Sequence, residues 1–420
     1  MNRLGNEVVH VMTVQRAGGG TATMSGRPAS AVSAQIFVLA ALASVGTFAT
    51  SILLPSLPSM AKTLNASTAA VASTISVYLA VFALGQLLVG PVSDRYGRWK
   101  PVVAGLLIFI AGSIWCEFSN DLPTLLVGRG IQALGACAAS VLSRAIARDL
   151  LSGEELTRAL AFITIAMAAA PGFSPLLGGL LDATFGWRSE FLAVALFALL
   201  ILAFFARLVG ETHNFDVKTS MQPLAIARTY WNLATDIRFL APAGTLGLFT
   251  GSLFAMFSVT PRILIDGLGY TPLQLGLFFA GTVFAVFGAG IATPRIARKI
   301  GHARATMLGL AIGTTGAVAL LGASLLPHST LSYLLPVIVF LLGFGTVNPL
   351  ATATALQPFG DRAGSASALL GFALMGGASL GVAAAAAIAN AALAIGVVQA
   401  VMTVLGGILY LAGNRITGAR

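Results

Sequence analysis

The sequence predicts an all-α membrane protein of twelve transmembrane helices in two pseudo-symmetric six-helix bundles. Three observations predict it. Of 420 residues, 57% are hydrophobic and only 9% charged, where an ordinary soluble domain carries about 25% charged residues. A chain this long cannot bury so much apolar surface in one water-soluble core. Apolar runs near the bilayer-spanning length recur along the chain, and at that length backbone groups in lipid pair only within a helix. Strand-like alternation, the mark of an outer-membrane barrel, is absent.

Residues 1–32 are polar and glycine-rich, as in "QRAGGGTATMSGRPAS". No apolar signal-peptide core precedes Ala34, so a disordered tail is expected. The first six spans are expected at about 33–54, 69–91, 101–118, 122–147, 157–182 and 189–210. A polar linker, 211–238, follows. The second six are expected at about 239–261, 272–293, 305–326, 332–354, 365–388 and 393–413, with a short tail at 414–420. This divides the chain into an N-terminal bundle, 33–210, and a C-terminal bundle, 239–413.

Twenty of the 24 Lys and Arg residues fall in the two tails, the linker and the alternate loops that share their side of the membrane. Lys62, Arg188 and Arg262 fall opposite, and Arg129 lies inside span four. By the positive-inside rule both termini are cytoplasmic, as an even number of spans requires. The net charge of +10 is thus a topology signal, and nucleic-acid binding is not expected. Cys116 and Cys137 sit inside apolar runs and suggest neither a disulfide framework nor a zinc site. No H-E-x-x-H, C-x-x-C or P-loop pattern appears, so an enzyme, a cofactor and a metal centre are not expected. The expected partners are a small-molecule substrate, protons and the lipid bilayer, with the chain acting as a monomer.

The charge-poor chain crowds Asp94, Arg95, Arg98 and Lys100 into "GPVSDRYGRWKP", between spans two and three. Gly90 permits close helix approach, and Gly97 permits a tight turn. Asp94 can pair with the arginines and with a neighbouring helix end. A network of Gly90, Asp94, Arg95, Gly97 and Arg98 is therefore expected to latch the bundles and release as they rock. Gly90, Arg95 and Arg98 recur two hundred positions later as Gly290, Arg295 and Arg298, which suggests duplicated halves.

The stretch resembles the loop 2–3 signature of the major facilitator superfamily, G-x-x-x-D-R-x-G-R. "RGIQALGACAAS", from Arg129 to Ser140, resembles the span-four motif of its drug:proton antiporters, with Ala133 in place of a glycine. "APGFSPLLGG", from Ala170 to Gly179, resembles their span-five motif, in which Pro175, Gly178 and Gly179 fit and Pro171 is additional. Together with "GWRSEF" at 186–191, the match is to the bicyclomycin/chloramphenicol-resistance (Bcr/CflA) branch. The resemblance implies a secondary exporter of amphipathic drugs and antibiotics in the bacterial inner membrane, driven by protons through alternating access. It implies that Arg129 takes part in proton transfer. It also implies that Pro171, Pro175, Gly178 and Gly179 shape the surface on which the halves rock.

An arginine inside lipid is costly and marks a pathway or relay. Ser51, Tyr78, Gln86, Gln132 and Asn348 either face a substrate cavity or bond between helices, and both readings stand. Phe254 and Phe257 either line a drug site or pack. Relatives in this branch often carry an acid in span one, where this chain has Ser51. No Asp or Glu occupies the middle of a span, which leaves Glu117, Asp182 and Glu190 as candidates, with Arg129, for the proton relay. A dedicated exporter of one metabolite or metal-chelating natural product, not coupled to protons, is the alternative.

Overall fold

The computed structural model describes residues 29–151, 153–212, 223–325 and 329–418. The expected tail over 1–28 lies outside the described residues. Among those described, the chain is helical with no strand. The N-terminal half contains α1 (Ala29–Ser51), the short α2 (Leu57–Thr63), α3 (Thr68–Tyr96), α4 (Trp99–Glu117), α5 (Leu122–Leu150), α6 (Gly153–Phe185) and α7 (Arg188–Leu208). After α8 (Pro223–Thr235), the second half contains α9 (Ile237–Pro261), α10 (Pro272–Ile300), α11 (His302–Ala323), α12 (Thr330–Leu356), α13 (Ala363–Ala386) and α14 (Ala391–Gly418). Eleven helical segments are long and apolar enough to cross a bilayer. The 33-residue α6 is the twelfth, since its stretch 159–181 carries no charge. Helix α8 is short and falls within the expected linker.

Local sequence sets the helix starts. Ser67, Asp121 and Thr271 each accept a backbone N–H three residues on, capping α3, α5 and α10. Thr271 and Gln274 form a reciprocal capping box. Periodicity sets the faces. On α7, Leu192, Leu196, Leu199, Leu200 and Phe204 are exposed, whereas Phe191, Val194, Ala198, Ile201 and Phe205 are buried. The spacing matches 3.6 residues per turn, with the exposed stripe facing lipid.

The halves are duplicated in a register of 204 residues. Thr68–Tyr96 and Pro272–Ile300 are both 29 residues long and start 204 positions apart. Gly97 and Gly301, the turn residues that follow, share φ of +83° and +87°. Gly105 and Gly309, then Gly112 and Gly316, each stand where a Cβ would press on the next helix. The recurrence of Gly90, Arg95 and Arg98 at two hundred positions is therefore one helical turn out of register. Arg298 and Lys299 belong inside the last turn of α10, and His302 occupies the place of Arg98.

The two halves meet along α3 with α13 and along α6 with α10. Ser76 and Ser379 exchange hydroxyl-to-carbonyl hydrogen bonds of 3.0 and 2.9 Å across the first seam. On the second seam, α6 offers glycines. A Cβ on Gly172 would overlap Val283, and one on Gly179 would stand 2.4 Å from the Pro272 carbonyl oxygen. Facing them, Gly276 lies against the backbone of Pro175 and Leu176. Small residues let the backbones approach, as membrane packing requires. These contacts lie toward the ends of α3 and α10 that carry Thr68 and Pro272. At the other end, where Arg95, Arg98, Lys100, Arg298 and Lys299 cluster, Gly90, Gly288 and Gly290 have nothing within 4 Å of a built Cβ among the described residues. The seams are closed at the end that carries Thr68 and Pro272, and the α3–α13 contact continues to Gln86, which lies against Gly371.

Candidate functional site

Arg129 sits on α5, roughly 10 Å along the helix from its start at Leu122, and is completely buried. Its Nη1 donates 3.2 Å to the Ala49 carbonyl of α1 and also to Gln132 Oε1, one turn along α5. Gln132 is held in turn, because its amide donates 2.7 Å to Ser113 Oγ on α4. Ser113 donates 2.8 Å to the Phe109 carbonyl. The chain of donors runs one way, so the Gln132 oxygen faces the guanidinium. The Tyr78 ring, from α3, lies over the guanidinium at 4.1 Å, a cation–π contact. Nε and Nη2 have no hydrogen-bond partner, and Arg129 forms no ion pair among the described residues.

A second cluster lies at the closed end. Glu190, near the start of α7, is fully buried and accepts from the hydroxyl of Ser56. Its other oxygen, Oε2, has no partner. Ser59 Oγ lies 2.9 Å from both carboxylate oxygens of Asp182 and from the Ser56 carbonyl. Asp182 and Glu190, from α6 and α7, are thus brought together by Ser59 of α2 and by Ser56 in the turn before it. Glu117 enters a different contact, in which its carbonyl oxygen accepts from Arg188 Nε at 3.1 Å. Arg188 also donates to the Ser119 carbonyl, binding α7 to the α4–α5 connection. Above this end, a cavity of about 420 Å³ is lined by Lys62 and Thr68 from one half and by Arg262 and Asp266 from the other. The Thr68 hydroxyl donates to Asp266 at 3.4 Å across the seam.

At the basic end, Arg98 Nε pairs with Asp149 at 3.2 Å, and its Nη1 donates to Ser93. The backbone N–H groups of Arg98 and Trp99 donate to the two carboxylate oxygens of Glu211 at 2.8 and 3.2 Å. Glu211 therefore caps α4, where negative charge meets the positive end of the helix dipole. These bonds tie the ends of α3, α4 and α5 to the segment after α7, all within the first half. Arg95 is exposed, 5.5 Å from the Tyr96 ring. The side chain of Asp94 lies outside the described residues. The carboxylate cap had a trace in sequence: α4 begins at Trp99 with no Ser, Thr, Asp or Asn before it.

The remaining residues are distributed. Gln86 is buried against Gly371 of α13, where a Cβ would overlap its amide oxygen. Ser51 is buried with its hydroxyl unpartnered, and Asn348 is half-buried on α12. Phe254 and Phe257 pack edge to face at 5.8 Å, and Phe257 meets Phe279 of α10 at 5.4 Å. They form an aromatic cluster of the second half. Pro171 and Pro175 lie inside α6. Gly178 faces the turn that ends α1, with a built Cβ 1.9 Å from the Ile52 carbonyl oxygen. Helix α6 is thus wedged between α1 and α10.

Residues 39–382 match the family model for the Major Facilitator Superfamily. The chain belongs to that superfamily. It is 30% identical over 377 residues to the uncharacterized MFS-type transporter YdgK of Bacillus subtilis (strain 168), covering 89% of this chain and 94% of that one. It is 27% identical to Multidrug resistance protein D of Escherichia coli (strain K12), covering 80% and 84%. It is 26% identical to a bicyclomycin resistance protein homolog of Haemophilus influenzae, covering 80% and 84%. These relatives place it in the Bcr/CflA branch of the superfamily. A crystal structure of the peptide transporter POT superposes with a TM-score of 0.75 at 14% identity, covering 94% of this chain and 96% of that one. That likeness is one of fold. Membership makes the chain a multi-pass membrane transporter rather than an enzyme.

Proposed function

We propose that this chain exports small amphipathic compounds, drugs and antibiotics among them, from the cytoplasm in exchange for protons. The observation that carries the reading is the close packing of the two halves along α3–α13 and α6–α10 at the end away from the basic cluster. Positive-inside topology puts the basic end in the cytoplasm, so the packed end of the seams faces outward. Rocking on the glycine-lined α6–α10 seam opens and closes that end, the alternating access of two related bundles about a central site. The multidrug and bicyclomycin resistance relatives support the cargo class. Glu190, buried, and Asp182, half-buried, each with a hydroxyl partner at the sealed end, are the pair that takes up and releases the proton. Arg129 supplies a fixed positive charge in the first bundle. Phe254 and Phe257 give the second bundle an apolar wall, and Gly90, Asp94, Arg95, Gly97 and Arg98 guard the cytoplasmic end. The protein acts as a monomer.

Proteoliposomes with an imposed pH gradient test this. Chloramphenicol and bicyclomycin are added in turn, and proton flux and compound movement are followed with wild type, Arg129→Ala and Glu190→Gln. Coupled fluxes abolished in Glu190→Gln are expected. Compound movement without proton flux overturns the antiport and leaves export. Ser51, standing where the family resemblance implies an acid, favours that uncoupled reading. No movement of either compound overturns the drug-export reading and favours one dedicated metabolite.

A further inference from the structure

The unpartnered atoms of Arg129 are not an arbitrary pair. Nη1 is engaged by Ala49 and Gln132, and one face of the guanidinium is covered by Tyr78. Left over are Nε and Nη2, whose N–H bonds run parallel along one edge of the plane. That edge is the fork that grips the two oxygens of a carboxylate or similar oxyanion bidentately. Every partner Arg129 has is neutral: a carbonyl, an amide oxygen and an aromatic ring. A fully buried cation with two donor nitrogens free is strongly disfavoured unless an anion meets it. None of the described carboxylates does.

We propose that the Nε–Nη2 edge of Arg129 binds an oxyanion carried by the transported compound, so that the cargo class is amphipathic organic acids. The inference rests on the exporter reading for the word cargo, but the binding site stands without it. The Gln132–Ser113 chain fixes the plane of the guanidinium, so that the fork is pre-organised. Lysine at this position keeps the charge and loses the fork.

The test uses three fluorescent probes with one apolar body: dansyl-leucine, its methyl ester, and the amine dansylcadaverine. Binding to the purified full-length protein in detergent is read by fluorescence polarisation. The acid is expected to bind at least tenfold more tightly than the ester or the amine. Its affinity should fall roughly thirtyfold or more in Arg129→Gln, the scale of breaking a buried charge pair. Arg129→Lys, which retains the charge and guards against a folding failure of the glutamine variant, should lose about tenfold for the acid and nothing for the ester. Equal binding of acid and ester, no binding of the acid, or acid binding indifferent to position 129 overturns the inference. Efflux of neutral compounds without acid binding overturns it and leaves the exporter reading. Acid binding through Arg129 without efflux of any compound keeps the site and removes the exporter reading.

Discussion

Two adjacent glycines on α6 separate folding from rocking. A Cβ at Gly179 would stand 2.4 Å from the Pro272 carbonyl oxygen, about 1.0 Å short of the 3.4 Å at which ordinary contact begins. That oxygen belongs to the other half. Gly179→Ala therefore pushes the halves apart at the sealed end, and the protein can relieve the strain by leaving this conformation. A Cβ at Gly178 would stand 1.9 Å from the Ile52 carbonyl oxygen, about 1.5 Å short. That contact joins α6 to the turn that ends α1, inside one half, and persists when the halves rock. Overpacking of this kind is worth about 1–3 kcal/mol. In Gly179→Ala the energy appears as a shift of the inward-to-outward ratio by roughly fivefold to 150-fold, with little change in unfolding temperature. In Gly178→Ala it appears as lost stability, with the ratio little changed. Spin labels at Lys62 and Gly267 in otherwise identical protein, read by pulsed electron–electron resonance, report the ratio at the sealed end. Differential scanning fluorimetry reports the stability. If both substitutions lower the unfolding temperature alike and neither lengthens the distance, the seam is not a rocking surface and the reasoning fails.

Two further outcomes follow from local geometry. Glu211→Ala removes the acceptor of the Arg98 and Trp99 N–H groups and is expected to cost about 1 kcal/mol, seen as a lower unfolding midpoint, while Glu211→Gln retains part of the cap. Asp121, capping α5 outside the spans, is held below the usual carboxylate range chiefly by the Thr124 backbone N–H. A depressed folded value means that its stabilisation is present above its unfolded value, about pH 4, and is lost as pH falls through the folded value. Thermal melts of Asp121→Asn should therefore lack a part of the wild-type decline in that acidic window, and identical profiles would show that the cap carries no linked proton.

The spans were legible because lipid imposes one rule on every segment: backbone groups pair locally, so length and apolarity are enough. The spans expected from about 69, 122 and 272 start beside the caps Ser67, Asp121 and Thr271, which act within three residues. Arg129 was legible as a charge out of place, and its bond to Gln132 spans a single helical turn. Its contact with Ala49 was not legible, because the acceptor is a backbone carbonyl and any residue there would offer one. The register of the duplication was misplaced by one turn for an instructive reason. Basic residues tolerate drift along the end of a helix, while the glycines at 97, 105 and 112 and their counterparts are pinned by φ or by a touching backbone.

By itself, then, the sequence determined what each segment is: which stretches cross the bilayer, which end is basic, and that no acid stands mid-span. These depend on transfer from water to lipid and on hydrogen bonds closed within a few residues. Only the tertiary structure decided which segments meet. It set Glu211 on the start of α4, 112 residues away in sequence at Trp99, gathered Ser56, Ser59, Asp182 and Glu190 at one end, and left one edge of Arg129 without an acceptor. Such contacts arise from the packing of distant helices, where the shape of a glycine face selects the neighbour and no local pattern records it.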